Sequence, residues 1–108
     1  MPFITACLKS ALPPGQAHCF NLGGKRIAIF NQDGKYLAFD DECTHEGAPL
    51  SEGRLVTDEA GRCVVECPMH LAHFDVLTGA VTELPADTPI NIYPVRVQGE
   101  EVQVETER

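Results

Sequence analysis

Two short segments hold the side chains best suited to chemistry: Cys43-Thr44-His45 and, after 21 intervening residues, Cys67-Pro68-Met69-His70. Each offers one thiol and one imidazole. Thiolate and imidazole are soft or borderline ligands that suit zinc or an iron–sulfur cluster, whereas magnesium and calcium take oxygen. A zinc site of two cysteines and two histidines usually draws on a Cys-x(2–4)-Cys pair and a separate His-x(3–5)-His pair, each of one residue type. Here both types occur in each segment, and the choice between zinc and iron stays open on spacing alone.

Ligands on two loops need a frame, and the rest of the chain reads as β-structure. Phe3 to Cys7 and Ala17 to Leu22 are β-prone runs, and Gly23-Gly24 joins the second of them as a hairpin to Arg26 to Asn31. Asp33-Gly34 makes a further hairpin into Tyr36 to Asp40, which sets Leu37 and Phe39 on one face and Tyr36 and Ala38 on the other. Lys9 to Leu12 has room for one helical turn before Pro13-Pro14 ends it. Between Asp41 and Val81 the texture changes. Gly47, Pro49, Gly53, Gly61, Pro68 and Gly79 break the pattern and leave Cys63 to Glu66 as the one good strand, with a short continuation at His73 to Val76. Strand pattern returns at Ile92 to Gln98, where Pro94 predicts an edge or a bulge, and at Glu101 to Glu105 beyond Gly99. Neither set of strands buries a core alone, so the two are expected to pair in one small sandwich or barrel. The expected architecture is all-β: a single domain over 1–108, with a base from 1–41 and 82–108 and an inserted, loop-rich unit at 42–81.

Composition narrows the partners. The 108 residues suffice for one domain, and 44% hydrophobic with 22% charged residues is the balance of a folded one. Sixteen acidic against eight basic side chains give a formal charge of −8, the wrong sign for nucleic acid or an anionic membrane surface. Five cysteines are an odd number and too sparse for a disulfide scaffold. No signal-peptide pattern opens the chain, and no apolar run approaches the ~20 residues of a membrane helix. The expected compartment is the reducing cytoplasm, where cysteines bind metals more often than they pair.

In a [2Fe-2S] cluster the mixed pairs have a use, since two thiolates on one iron and two imidazoles on the other leave the irons electronically unequal. The run from Cys43 to Gly53 (CTHEGAPLSEG), that from Glu66 to Asp75 (ECPMHLAHFD) and Thr78-Gly79 together resemble a Rieske [2Fe-2S] domain. Ile92-Tyr93-Pro94-Val95-Arg96-Val97 resembles the strand that returns to the base in Rieske ferredoxins, and the likeness runs from Gly34 to Val104. The resemblance implies a Rieske-like β-sandwich or small barrel holding one cluster. It implies Cys43 and Cys67 as ligands of one iron, His45 and His70 of the other. Ala48 and Met69 stand where the respiratory branch has a second pair of cysteines, so the soluble ferredoxin branch is implied, without a bridge. Ala72 and Phe74 stand where that other branch has a serine and a tyrosine that donate hydrogen bonds to the cluster. Without such donors the potential is expected toward the low end of the Rieske range, around −150 mV. Leu71 departs from the glycine many relatives carry there. The acidic run Asp40, Asp41, Glu42 and Glu46 is expected to add a modest lowering, as exposed charges screened over about 8 Å.

The function implied is that of a diffusible one-electron carrier. It would take electrons from a flavin-containing, NAD(P)H-dependent ferredoxin reductase and pass them to a terminal oxygenase acting on aromatic or other hydrophobic compounds. Docking would be transient, through the cluster tip, and the carrier a monomer in isolation. The chain is not expected to be an enzyme: a mononuclear iron site would need two more histidines and a carboxylate, and only His18 and His73 remain. The alternatives are a Rieske-like small subunit of a nitrite reductase or other larger oxidoreductase, and a structural zinc module. His73 and His18 read as packing or surface residues, and Cys7, Cys19 and Cys63 as small strand residues of the kind commonly buried. Glu42, Glu46 and Glu52 could steer the tip toward basic partners.

Overall fold

In the computed structural model, which describes residues 3–42, 48–69, 72–83 and 88–106, the hairpins turn where the glycines predict. β1 (Ile4–Leu8) leads through a single 3-10 turn at Lys9–Ala11 to β2 (Ala17–Leu22), which pairs antiparallel with β3 (Lys25–Gln32). Gly23 and Gly24 both take positive φ, 58° and 80°, the pattern of the hairpin turn whose twist matches its strands. Asp33 and Gly34, at 53° and 92°, repeat it before β4 (Lys35–Asp40).

β3 is buried from Ile27 to Asn31, and its side chains alternate between two cores. Ala28 and Phe30 join Leu37 and Phe39 in one; Ile27 and Ile29 join Ala38, Tyr93 and Val104 in the other. The alternation read for Tyr36 to Asp40 is therefore the division between these cores. Phe30 and Phe39 stack at 5.4 Å between ring centroids, an offset geometry that adds to what area burial supplies. A sheet with two apolar faces must be covered on both, and it is. β2-β3-β4 is completed by β9 (Ile92–Tyr93) as the middle layer. On one side lies a three-stranded sheet of β1, β11 (Glu101–Val104) and β10 (Val95–Gln98), in that order.

The other side corrects the sequence reading. The stretch expected to be loop-rich with one strand forms a four-stranded antiparallel sheet: β5 (Arg54–Thr57), β6 (Cys63–Glu66), β7 (His73–Asp75) and β8 (Val81–Glu83). β7 does not continue β6 but turns back against it, with Val65 opposite Phe74 and Glu66 opposite His73. Strands of three or four residues show too little alternation to register in the sequence, and cross-strand pairing supplies what local propensity lacks.

Pro94 lies between β9, the edge of the middle sheet, and β10, the edge of the three-stranded one. An edge tolerates its missing N–H, so the proline marks a corner where the chain changes layers. Just before it, the Tyr93 hydroxyl donates to Asp40 Oδ1 at 2.5 Å. Burial first, then the Asp40 carboxylate, pushes the Tyr93 pKa well above its ordinary value. A phenol that ionises less readily folded than unfolded contributes stability that is intact below about pH 10 and is lost as pH rises further. Tyr93→Phe is accordingly expected to lose less stability between pH 10 and 12 than the parent, as followed by thermal melting; equal slopes would disprove the coupling.

Candidate metal centre

Both candidate ligand segments spring from closed necks on the same side of the middle sheet. Glu42 and Pro49 form an isolated antiparallel bridge that brackets residues 43–48. The Cys67 N–H donates to the Ala72 carbonyl at 2.8 Å and brackets residues 68–71. Of the four predicted ligands, Cys43, His45 and His70 lie outside the described residues, as do Glu46 and Leu71. Cys67 lies within them. Its free thiol is fully buried in the core that also holds Ala48, Leu50, Ala72 and Phe74.

The necks are held by what flanks them. Past the first loop, Pro49 leads into a 3-10 turn at Leu50–Glu52 whose end, Gly53, packs on the Glu66 carbonyl. Glu66 directly precedes Cys67, so the return of one loop touches the start of the other. Before the first loop, Asp41 is wholly buried and bonded to Arg26 and Ser51. This overturns the reading of Asp41 as one of several exposed charges: burial follows from its partners, and the sequence shows an acidic run without showing which member turns inward. Glu42 and Glu52 are exposed, as the steering idea requires.

Several predicted bystanders are placed. His73 Nε2 lies 3.0 Å from Glu66 Oε2, with the ring nitrogen donating, while Arg54 Nε donates to Glu66 Oε1 at 3.0 Å. The His73 hydrogen bond first, and Arg54 after it, hold the Glu66 pKa below the ordinary glutamate value. The His73 ring is engaged with Glu66 across the β6–β7 pair, and His73→Ala is expected to leave the ultraviolet-visible and EPR spectra nearly unchanged. Loss of the cluster in that variant would show the ligand assignment to be wrong. His18 is exposed and meets Phe20 edge-on at 6.4 Å. Cys63 points its thiol at Gln32 Oε1, 3.6 Å away, and Cys7 is half-buried. Cys19 differs from the buried-hydrophobe expectation: it sits exposed on edge strand β2, against Arg26 and Asp41, and its thiol pKa is raised chiefly by desolvation, which keeps it protonated.

The residues present fit an iron–sulfur cluster. Cys67 holds its sulfur fully buried in one core with small Ala48 and Ala72, and neither Ala72 nor Phe74, both fully buried, can donate a side-chain hydrogen bond. Just past Cys67, Pro68 is exposed and Met69 is 62% exposed, so these two residues show apolar surface. Among the described residues no helix is long and apolar enough to cross a membrane.

Comparison with known proteins gives the same picture. The Rieske [2Fe-2S] domain family matches residues 3–94. The biphenyl dioxygenase ferredoxin subunit of Pseudomonas sp. (strain KKS102) is 39% identical over 108 residues, covering all of this chain and 95% of the relative. The ferredoxin of carbazole 1,9a-dioxygenase from Nocardioides aromaticivorans IC177 superposes with a TM-score of 0.86 at 29% identity, over 99% of this chain and 100% of that one. A matching chain from a complex of reduced oxygenase and oxidized ferredoxin in carbazole 1,9a-dioxygenase has a TM-score of 0.82 at 34% identity, over 98% of this chain and 94% of that one.

Proposed function

We propose, for a chain that belongs to the Rieske [2Fe-2S] domain family, that it is the ferredoxin of a multicomponent oxygenase and carries single electrons to the terminal oxygenase. The match to a dioxygenase ferredoxin subunit along the whole chain carries this reading. The protein binds a Rieske-type cluster. When bound, that cluster supplies reversible one-electron transfer between its two oxidation states.

The chain's own residues do the rest. Cys43 and Cys67 would hold one iron of that cluster, and His45 and His70 the other. Residues 42–81 form the cluster-binding unit, and 1–41 with 82–108 the base, β8 straddling the second boundary. Buried Cys67, Leu50 and Phe74 keep water from the thiolate side, which protects it from oxidation and lowers the local dielectric. With Ala72 and Phe74 unable to donate hydrogen bonds, the electron-rich reduced form gains no extra stabilisation there, and the potential belongs toward the low end, around −150 mV. Exposed Pro68 and Met69 give the tip a small apolar face for close approach, while Glu42 and Glu52 favour basic partner surfaces and make association salt-sensitive. Electrons arrive from an NAD(P)H-dependent flavoprotein reductase; the oxygenase substrate is aromatic or otherwise hydrophobic; the carrier works as a cytoplasmic monomer between partners.

The test is the EPR spectrum of the dithionite-reduced protein, with iron, zinc and acid-labile sulfide counted in the same sample. A rhombic signal of low average g with two irons per chain is expected from mixed cysteine and histidine ligation. One zinc, without iron or sulfide, would end the proposal. A stoichiometric complex that survives high salt in native extract would replace the free carrier by a fixed subunit, as in nitrite reductases.

A further inference from the structure

Asp41 is the one charged side chain among the described residues that is fully buried, and it stands two residues before Cys43. Its four polar groups are all engaged. The N–H donates to the Arg26 carbonyl at 3.1 Å, and the carbonyl accepts from the Leu50 N–H at 2.6 Å. Oδ1 accepts from the Ser51 N–H at 2.7 Å, and Oδ2 from the Arg26 guanidinium at 3.1 Å. One residue therefore ties β3 to the 3-10 turn that follows the first ligand loop, and fixes both ends of that loop.

Backbone bonding alone does not explain the carboxylate, whose charge also answers the Arg26 guanidinium. An asparagine could keep the two backbone bonds and the bond to Ser51, and an amide is far cheaper to bury than a charge. The charge has an effect the amide would lack. Two residues of chain keep the Cα of Asp41 within about 7 Å of that of Cys43, a separation comparable with the ~8 Å Debye length, and a buried charge is screened less than an exposed one. Adding an electron beside a fixed negative charge is disfavoured. Arg26, its counter-charge, is 55% exposed in its side chain and so offsets that effect only in part.

We propose that Asp41 and Arg26 form a positioning and charge pair for the cluster. Asp41 sets the neck of the Cys43–His45 loop, and its buried charge lowers the potential against the partial compensation of Arg26. This rests on the cluster reading above. Both are positioning residues, acting through the loop and through space.

The experiment measures midpoint potentials of the holo-protein by EPR-monitored titration, with iron and sulfide counted, for the parent, Arg26→Gln and Asp41→Asn. Arg26→Gln leaves the carboxylate uncompensated, and its reduced-to-oxidised ratio at a fixed poise is expected to fall several-fold, with the g-values of the parent. Asp41→Asn is expected to move that ratio the other way. Opposite signs are the mark of charge, because a merely loosened loop would move both variants in one direction. If Asp41→Asn retains no iron, that supports its hold on the neck, and Arg26→Gln decides the charge. Arg26→Gln at the parental potential overturns the proposal, and so do shifts of one sign in both variants. A parent protein without an iron–sulfur signal overturns the cluster reading itself, a result the iron and sulfide counts separate from the others.

Discussion

Cys67→Ala protein is expected to purify colourless, with iron and acid-labile sulfide at least tenfold below the parent and no EPR signal after reduction. The substitution removes a sulfur from a site proposed to have four protein donors and no spare. Serine would not rescue it, because a hard oxygen replaces a soft thiolate. The neighbouring core gives the loss a second consequence. Cys67 is buried with Leu50, Ala72 and Phe74, and metal binding is coupled to folding where ligands come from separate loops, so the variant is also expected to melt well below the loaded parent. Cys63→Ala is the control. Its thiol lies four residues away on β6, facing Gln32, and the variant should keep both colour and signal. A coloured Cys67→Ala protein, or a colourless Cys63→Ala one, would reverse the assignment of the second thiolate.

Gly53→Ala is expected to be among the most damaging single methyls at the described residues. The backbone of Gly53 has an ordinary φ of −83°, so alanine meets no dihedral strain there. Its Cβ, however, would fall on the Glu66 carbonyl oxygen, well inside van der Waals contact, and main chain cannot swing aside as a side chain can. Overpacking of this kind costs about 2 kcal/mol or more, or on the order of 10 °C in Tm for a domain of this size. The position makes the cost informative. Gly53 closes the first loop and Glu66 opens the second, so relief by separation drives the two ligand loops apart. Gly79→Ala is the matched comparison: its Cβ would fall on the Ile90 carbonyl, and its φ of +82° adds strain. Both variants should lose Tm, but only Gly53→Ala should also alter the EPR line shape or lower the iron content. Equal spectra in the two would show that the Gly53 contact is structural and does not set the spacing of the loops.

What the sequence made legible follows from where each signal resides. The hairpins at Gly23-Gly24 and Asp33-Gly34 were readable because positive φ restricts which residues can sit there, and the alternation of Leu37 and Phe39 against Tyr36 and Ala38 was readable because β4 is buried on both faces. β5 and β8 were not. Arg54–Thr57 and Val81–Glu83 are short, and what makes them strands is the neighbour each finds across the sheet. The ligand pattern was visible because metal chemistry admits few residue types. Asp41 was hidden among Asp40 and Glu42, since which carboxylate turns inward is settled by Arg26 and Ser51, fifteen residues before it and ten after. Gly53 looked like one loop glycine among several, and only the Glu66 carbonyl pressed against it reveals why no side chain fits.

The order of the strands also bears on how the protein comes into being. β5 to β8 pair each with the next, so the layer that carries the second candidate ligand segment between β6 and β7 is made of successive local contacts. β1 instead finds its partner in β11, with Ile4 opposite Val104, and the middle layer waits for β9. Contacts between near neighbours in sequence form with little loss of chain entropy, whereas those that close long loops come late. On a ribosome, the segment proposed to receive iron and sulfide is therefore complete in sequence, and able to pair, while β1 still has no strand to join. Until β11 emerges, β1 and the β2–β4 meander expose edges and apolar faces that the finished protein hides, and that interval is when the nascent chain is most open to aggregation.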